Sequence, residues 1–373
     1  MREIRLTKAQ EMLLSLLKSS LHDKAPDSVK FEAATANEWR ECCDLSVKQG
    51  VMALAWDGVC KLPKSQQPPQ DLKIAWALAT EKYEQKYLYY CNVASELSDY
   101  YKKHGIETLL LKGVGLSTYY PNPSHREGGD IDIYTYSASP EKMSDEEAHN
   151  QADLLMEKLG IEVDCSHSVK HSNFYYKGIP IENHITLLDV VVCELIQQAE
   201  AMLRKRMDPE SVTLPTGKNI LVPSPEFNTL FVAFHTAGHY GHGLALHHLC
   251  DWACIIKKYG VQLPSELTDR HFLRGIGALT YLCNRYLGTD VDVKGGEKLA
   301  GEIINEIFTP VEHDLPNGSI WYLFRFKVRR FIRVVNIDNT FFHVPLWRNT
   351  KFWNKVWNSI IWHVSRIVNM FRK

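Results

Sequence analysis

No uncharged apolar run in this chain reaches the roughly 18 residues that a membrane-spanning helix needs, so no transmembrane span is expected. Charge of one sign is also lacking, because 43 Lys and Arg stand against 44 Asp and Glu for a formal −1. Cysteine occurs nine times, an odd number that includes the adjacent pair Cys42-Cys43 and shows no zinc-ribbon spacing. That usage argues against a disulfide framework and for a reduced, cytoplasmic protein. The first residues, Met1-Arg2-Glu3-Ile4-Arg5, lead into an amphipathic segment containing Glu11 and Lys18 and not into the apolar core of a signal peptide, so no export is expected. Internal repeats and low-complexity tracts are absent too.

What is present is an ordinary globular composition, 45% hydrophobic over 373 residues, enough for two or three cores. The near-neutral total hides an asymmetry. From Ser319 to Lys373 there are eleven Lys and Arg and one acid, Asp338, while the preceding residues hold 32 basic and 43 acidic side chains. A basic tail is thus attached to an acidic body.

Apolar residues recur at three- and four-residue intervals through residues 1–104, as in Leu13, Leu14, Leu16 and Leu17, then Val51, Leu54 and Ala55, which predicts helices. Residues 62–69 read as a loop. From residue 105 the pattern changes. Ile106 to Leu111 is a short apolar run ending at Gly113, and Ile131 to Tyr134 alternates out of a Gly-Gly turn, so both are expected strands, with a short helix between them at 114–120. Asp145 to Leu159 predicts a helix that starts near Ser144 and stops at Gly160. Residues 161–165 look extended, and a turn at Lys177-Gly178 makes 172–187 a hairpin. From Val190 onward helices return, interrupted by loops at Pro215 and Pro223-Ser224-Pro225. The expected class is α+β: an N-terminal helical region (1–104), a small mixed-sheet α/β core (105–190), a C-terminal helical region (191–318) and a basic aromatic tail (319–373).

The chemistry concentrates in that core. Asp130-Ile131-Asp132 sets two carboxylates at i and i+2, which a strand points to one face. Such a pair suits hard divalent cations, which take oxygen ligands and substrate phosphates. A third carboxylate is usual for a two-metal centre, and Glu182 in Ile179-Pro180-Ile181-Glu182-Asn183-His184 is the candidate, with His184 on its face as a substrate-side residue that would orient Glu182 or contact substrate. An acid within an apolar strand is costly to bury without a cation or partner. Lys112 and Arg126 would offset triphosphate charge, while Gly113 and Gly115 would let phosphate approach the backbone. A D-x-D at a strand edge can also be a solvated turn.

The ordered string Leu111-Lys112-Gly113, Tyr120-Pro121, Arg126, Asp130-Ile131-Asp132 and Glu182-x-His184 resembles the uncharacterised nucleotidyltransferase family within the polymerase-beta-like superfamily. So do Pro223-Ser224-Pro225-Glu226, Phe234-His235 with His239, and Leu249-Cys250-Asp251-Trp252, which are similar to that family's helical C-terminal half. The resemblance covers roughly residues 40–260. It implies Mg²⁺, two ions, held by Asp130, Asp132 and Glu182, a glycine-turn role for Gly113, and a nucleoside triphosphate, with ATP the expected donor. The glycine is followed by Val114 where the superfamily has Gly or Ser, and sixteen residues separate it from Asp130. The Lys-Gly form and the long spacer resemble this subfamily. The implied activity is Mg²⁺-dependent transfer of a nucleoside monophosphate to an unidentified acceptor with release of pyrophosphate.

Two further features stand outside that motif. His235, His239, His242, His247, His248 and Asp251 cluster in sequence, but His235-Thr236-Ala237-Gly238-His239 lacks the Glu that a metalloprotease needs. Packing histidines lining the cleft are expected, with His235 and Asp251 on the substrate side; a metal-dependent phosphohydrolase is the competing reading. The tail interleaves aromatics such as Trp353, Trp357 and Trp362 with its basic residues. It would suit docking on the acidic body, an anionic membrane surface at the cytoplasmic face, or nucleic acid. The alternative to an enzyme is a non-catalytic nucleotide-binding adaptor acting through this tail.

Overall fold

The computed structural model describes residues 6–165, 170–190, 194–240, 243–292, 295–308 and Phe341. The remaining residues of the basic tail and His242 lie outside these.

Helices begin where side chains satisfy N–H groups that a helix leaves without internal partners. Thr7 with Gln10 forms a capping box at α1 (Lys8–His22), and Thr35 with Glu38 does the same for α2 (Ala36–Lys48). α1 turns Met12, Leu13, Leu16 and Leu17 into the core. It is crossed by α3 (Met52–Cys60) at Gly58, where a Cβ would stand 2.6 Å from the Leu16 carbonyl oxygen, so only glycine permits the approach. The long α4 (Gln70–Lys102) has two jobs. Its first half buries Trp76, whose Nε1 donates to the Met52 carbonyl at 3.0 Å, and its second half lays Cys91, Ala94, Leu97 and Tyr101 on the sheet.

After α4 come β1 (Ile106–Leu110), α5 (Val114–Ser117), β2 (Ile131–Ser137), α6 (Asp145–Lys158), β3 (Val163–Asp164), β4 (His171–Tyr176) and β5 (Ile179–His184). α7 (Glu194–Arg204), β6 (Pro209–Thr213), β7 (Asn219–Pro223), α8 (Pro225–His239), α9 (Leu246–Tyr259), α10 (Arg270–Leu282) and α11 (Glu297–Ile307) complete the order. The seven strands form one mixed sheet in the order β3-β4-β5-β2-β1-β7-β6. β2 with β5 and β1 with β7 are parallel, and the other pairs are antiparallel.

Alternation decides what each sheet face meets. Ile106, Leu110, Ile131, Ile133 and Ile181 pack with α4 and α6, while Leu109, Leu111 and Tyr134 join the core built by α1, α3, α8 and α9. Thr135 and Asn183 share the α6 side, where Thr135 Oγ1 donates to Asn183, and Asn183 and Ser172 both donate to Asp153. Every polar group of that buried set is thereby paired.

Two departures from the pattern reading concern strands. β5 stops at His184 and not at Leu187, because the Ile185 and Thr186 N–H groups both turn back to the Lys170 carbonyl, at 2.8 and 3.1 Å. The β6–β7 hairpin lies in a stretch read as loops between helices. β6 is mostly exposed and carries little apolar signal, and β7 gains its place by pairing Leu221 with Leu109 of β1, far away in sequence. Among the described residues no helix is long and apolar enough to cross a membrane. Phe341 of the tail is fully buried, its ring 5.6 Å from that of Tyr240 and 6.5 Å from that of Phe272.

The turn before β2 is strapped to the helices. Lys86 Nζ donates to the Gly128 carbonyl at 2.7 Å and Tyr90 Oη to that of Gly129 at 3.0 Å, both from α4. Glu127 accepts the Ala53 N–H at 3.0 Å, serving the α3 N-terminus, where Val51 offers no side-chain cap. His125 is buried between two acids, Nδ1 at 2.8 Å from Asp57 and Nε2 at 2.8 Å from Glu84. Burial opposes its charge, but those hydrogen bonds outweigh it and raise its pKa above the ordinary value. The histidine therefore contributes stability that is full below its unfolded pKa of about 6.5 and is lost as pH rises through the higher folded value. Histidines held neutral by burial, such as His171, act in the opposite direction, so the difference between variants is the readout. Thermal melts from pH 6 to 8.5 should show His125→Gln less stable than the native chain at the acid end and the gap closing at the alkaline end.

Candidate active site

β1 delivers Lys112 and Gly113 at the sheet's end. Gly113 has φ 54° and ψ −115°, and a Cβ there would stand 3.2 Å from the Asp130 carbonyl oxygen, so a side chain would be both strained and crowded. Gly115 has another reason. Its N–H bonds to the Lys112 carbonyl at 2.9 Å, and a Cβ would meet the Leu110 carbonyl oxygen at 2.5 Å. The space left by its missing Cβ is taken by the Leu110 carbonyl.

Parallel pairing of β2 with β5 sets Asp132 directly opposite Glu182. His184, two residues on, shares the face of Glu182. Its Nε2 lies 3.0 Å from Asp132 Oδ1 and 3.6 Å from Glu182 Oε2, and Lys112 Nζ reaches the same Asp132 Oδ1 at 2.6 Å. One ligating atom from each of Asp132, Glu182 and His184 lies within 4.8 Å of the other two. Asp130 precedes β2 on a bend and is not of that close group; with Gly113 and Gly128 it opens on a small cleft walled by Tyr83, Lys86 and Tyr90.

The electrostatics separate the three carboxylates. Burial would raise Asp132, but Lys112 and His184 outweigh it and hold its pKa well below the carboxylate range. The His184 ring, 3.6 Å away, lowers Glu182 against its own burial. Asp130 is raised, by burial first and then by the Asp132 charge. Two ionised acids beside one reluctant to ionise form a site short of positive charge, and a divalent cation fits that donor set. Lys112, raised by Asp132 although burial opposes its charge, supplies part of it.

β4 and the position before it contribute two residues that the sequence expectations do not include. His171 pairs with His184 across the ladder and puts Nε2 3.6 Å from Glu182 Oε2. Lys170, lowered by burial and then by the Lys112 charge, stands close enough to feel Asp132, Glu182 and Asp189. Neither had a local signal beyond lying at the start of an extended segment.

Arg126 and Asp251, expected on the phosphate and substrate sides respectively, meet each other. Arg126 Nε donates to Asp251 Oδ1 at 3.2 Å and Nη2 to Oδ2 at 2.9 Å, while Nη1 donates to the Glu127 carbonyl. Tyr120 Oη also donates to Asp251 Oδ1, at 2.7 Å. The guanidinium thus ties the turn before β2 to α9, and its bidentate face is spent on a buried acid.

His235 and His239, one turn apart on α8, gather with His248 of α9, and one nitrogen from each lies within 4.8 Å of the others. Their rings are 4.3 to 5.6 Å apart. His248 Nδ1 accepts the Ala245 N–H at 3.1 Å, and His247 Nδ1 lies 3.3 Å from the Gln49 carbonyl oxygen. Burial, then the nearby Lys112 charge, pushes His235 well below its ordinary pKa. Cys250 and Cys254 fill the core.

With this geometry in view, the sequence profile described as "Uncharacterised nucleotidyltransferase" matches residues 35–288. No curated protein matches the chain. A solved structure, that of an antigenic nucleotidyltransferase-like protein from Paracoccidioides brasiliensis, is similar at 13% identity with a TM-score of 0.36, covering 54% of this chain and 93% of the other. At that distance nothing is carried from it to residues here.

Proposed function

From the premise that this chain belongs to the uncharacterised nucleotidyltransferase family, we propose that it transfers a nucleoside monophosphate from a Mg²⁺-bound nucleoside triphosphate, with ATP the first candidate, to an acceptor hydroxyl or similar group. The observation that carries this reading is the in-register pairing of Asp132 with Glu182 on adjacent parallel strands, with Asp130 at the mouth and Lys112 2.6 Å from Asp132.

Asp130, Asp132 and Glu182 would hold Mg²⁺, whose chemistry is Lewis-acid stabilisation of the phosphoryl oxygens. The acceptor oxygen bonds to the α-phosphorus as the bond to the β-phosphate oxygen breaks, pyrophosphate leaves, and Glu182 takes the acceptor's proton. Gly113 lets the chain turn sharply between β1 and α5 beside Asp130. Lys112 offsets charge in the ground and transition states. Arg126 contributes by holding the turn that carries Asp130, through Asp251.

A thermal-shift panel of the four nucleoside triphosphates, each with and without Mg²⁺, tests the reading. One triphosphate at a hundred times its Kd should add about 2.7 kcal/mol, only with Mg²⁺, and the effect should vanish in Asp130→Ala. No shift with any triphosphate in the native chain would reject it and favour the adaptor reading, in which removal of residues 319–373 and not loss of Asp130 abolishes function.

A further inference from the structure

We propose that His184 is itself a ligand of the bound cation, through Nε2, so that Asp132, Glu182 and His184 form a mixed oxygen–nitrogen centre that takes Mn²⁺ in preference to Mg²⁺. This rests on the nucleotidyl-transfer reading of the same site.

The argument begins at the far side of the ring. His184 Nδ1 lies 3.2 Å from the Thr186 carbonyl oxygen. A carbonyl only accepts, so Nδ1 carries a hydrogen and donates it. Nε2 is then the nitrogen left to face Asp132 Oδ1 at 3.0 Å and Glu182 Oε2 at 3.6 Å; while it carries a hydrogen it donates to Asp132, and giving up that proton on cation binding makes it a ligand. The side chain is fully buried, 0% exposed, so water does not compete for that nitrogen. A cation set among the two oxygens and the nitrogen satisfies all three at once. Fixing a ligating histidine by a hydrogen bond from its other nitrogen to a backbone carbonyl is also how proteins orient such rings. The turn that ends β5 supplies that carbonyl, because Ile185 and Thr186 bond back to Lys170 and bring Thr186 under the ring.

Ligand type decides which ion benefits. Mg²⁺ takes oxygen and keeps its waters. Imidazole is a donor for first-row transition ions, and among them Mn²⁺ is the one that shares the carboxylate preference of Mg²⁺.

Pulsed EPR of the full chain loaded with Mn²⁺ reads the bond directly, as hyperfine coupling to a histidine nitrogen that changes on ¹⁵N-histidine labelling. The native chain should show the coupling, and His184→Gln, which keeps a buried polar side chain, should lose it while His171→Ala retains it. Competition titrations should show His184→Gln weakening Mn²⁺ by about tenfold or more and Mg²⁺ much less. A general loosening of the site would weaken both ions alike and overturn the proposal. Bound Mn²⁺ with no nitrogen coupling in the native chain overturns it without any variant, and leaves the carboxylate site standing. If the native chain binds no Mn²⁺ with or without ATP, the proposal falls, and the nucleotidyl-transfer reading falls with it only if Mg²⁺ is not bound either.

Discussion

Replacing Asp132 by asparagine is expected to lower kcat/KM for nucleotidyl transfer by at least about 10³-fold, or some 4 kcal/mol of transition-state stabilisation. Asn keeps the shape but not the charge. A neutral amide is a poor ligand for a hard cation, and Lys112 and His184 lose the anion that both of them touch at Oδ1. Because Asp132 is 1% exposed, the change also costs stability: an uncompensated buried ammonium is unfavourable even when a hydrogen-bond acceptor remains in place. Activity should therefore be measured well below the variant's own melting temperature, with circular dichroism confirming a folded state. A folded Asp132→Asn protein that keeps activity within tenfold of native would remove Asp132 from the chemistry. Thermal stability alone would not decide the matter.

The second large effect falls on stability. Arg126→Ala leaves Asp251 buried without its bidentate partner, and a broken buried ion pair costs about 3–5 kcal/mol. Arg126 and Asp251 side chains are 10% and 3% exposed, so solvent screens the pair little. Urea titrations of Arg126→Ala, Asp251→Ala and the double variant separate the terms. The double variant should be less destabilised than the sum of the singles, since removing both charges leaves neither stranded. Tyr120, whose hydroxyl also donates to Asp251, loses its acceptor in Asp251→Ala and so makes that single the costlier of the two. If Arg126 were instead a phosphate ligand in the resting protein, Arg126→Ala would weaken triphosphate binding with little change in the urea midpoint. The opposite ranking of these two readouts is what the buried pair predicts.

The fold was largely legible wherever its cause is local. Ser144, read as a helix start, caps that helix with Glu147 by bonds that span three residues. Alternation through Ile131 to Tyr134 and the turn at Lys177-Gly178 place β2 and the β4–β5 hairpin for the same reason: the deciding atoms are neighbours in sequence. The i and i+2 spacing likewise put Glu182 and His184 on one face before any tertiary contact was known. Asp130 shows where that rule ends, since it stands on the bend before β2 and is governed by the turn instead of the pleat.

What only the tertiary structure decided is which partner each side chain meets. By residue type Lys112 suits a phosphate cation, yet it sits on Asp132; Arg126 suits the same role, yet it sits on Asp251, 125 positions away. His125 drew no notice, yet it bridges Asp57 and Glu84. The β6–β7 hairpin was invisible because its exposed edge strand has little apolar periodicity and its placement comes from β1. Composition and spacing determined that this chain has strands, caps and a group of acids suited to a cation, because those follow from backbone geometry over a few residues. The pairing of buried charges was settled by the tertiary structure, because a desolvated charge takes whichever opposite charge the packed fold brings within reach, and sequence distance has no part in that energy.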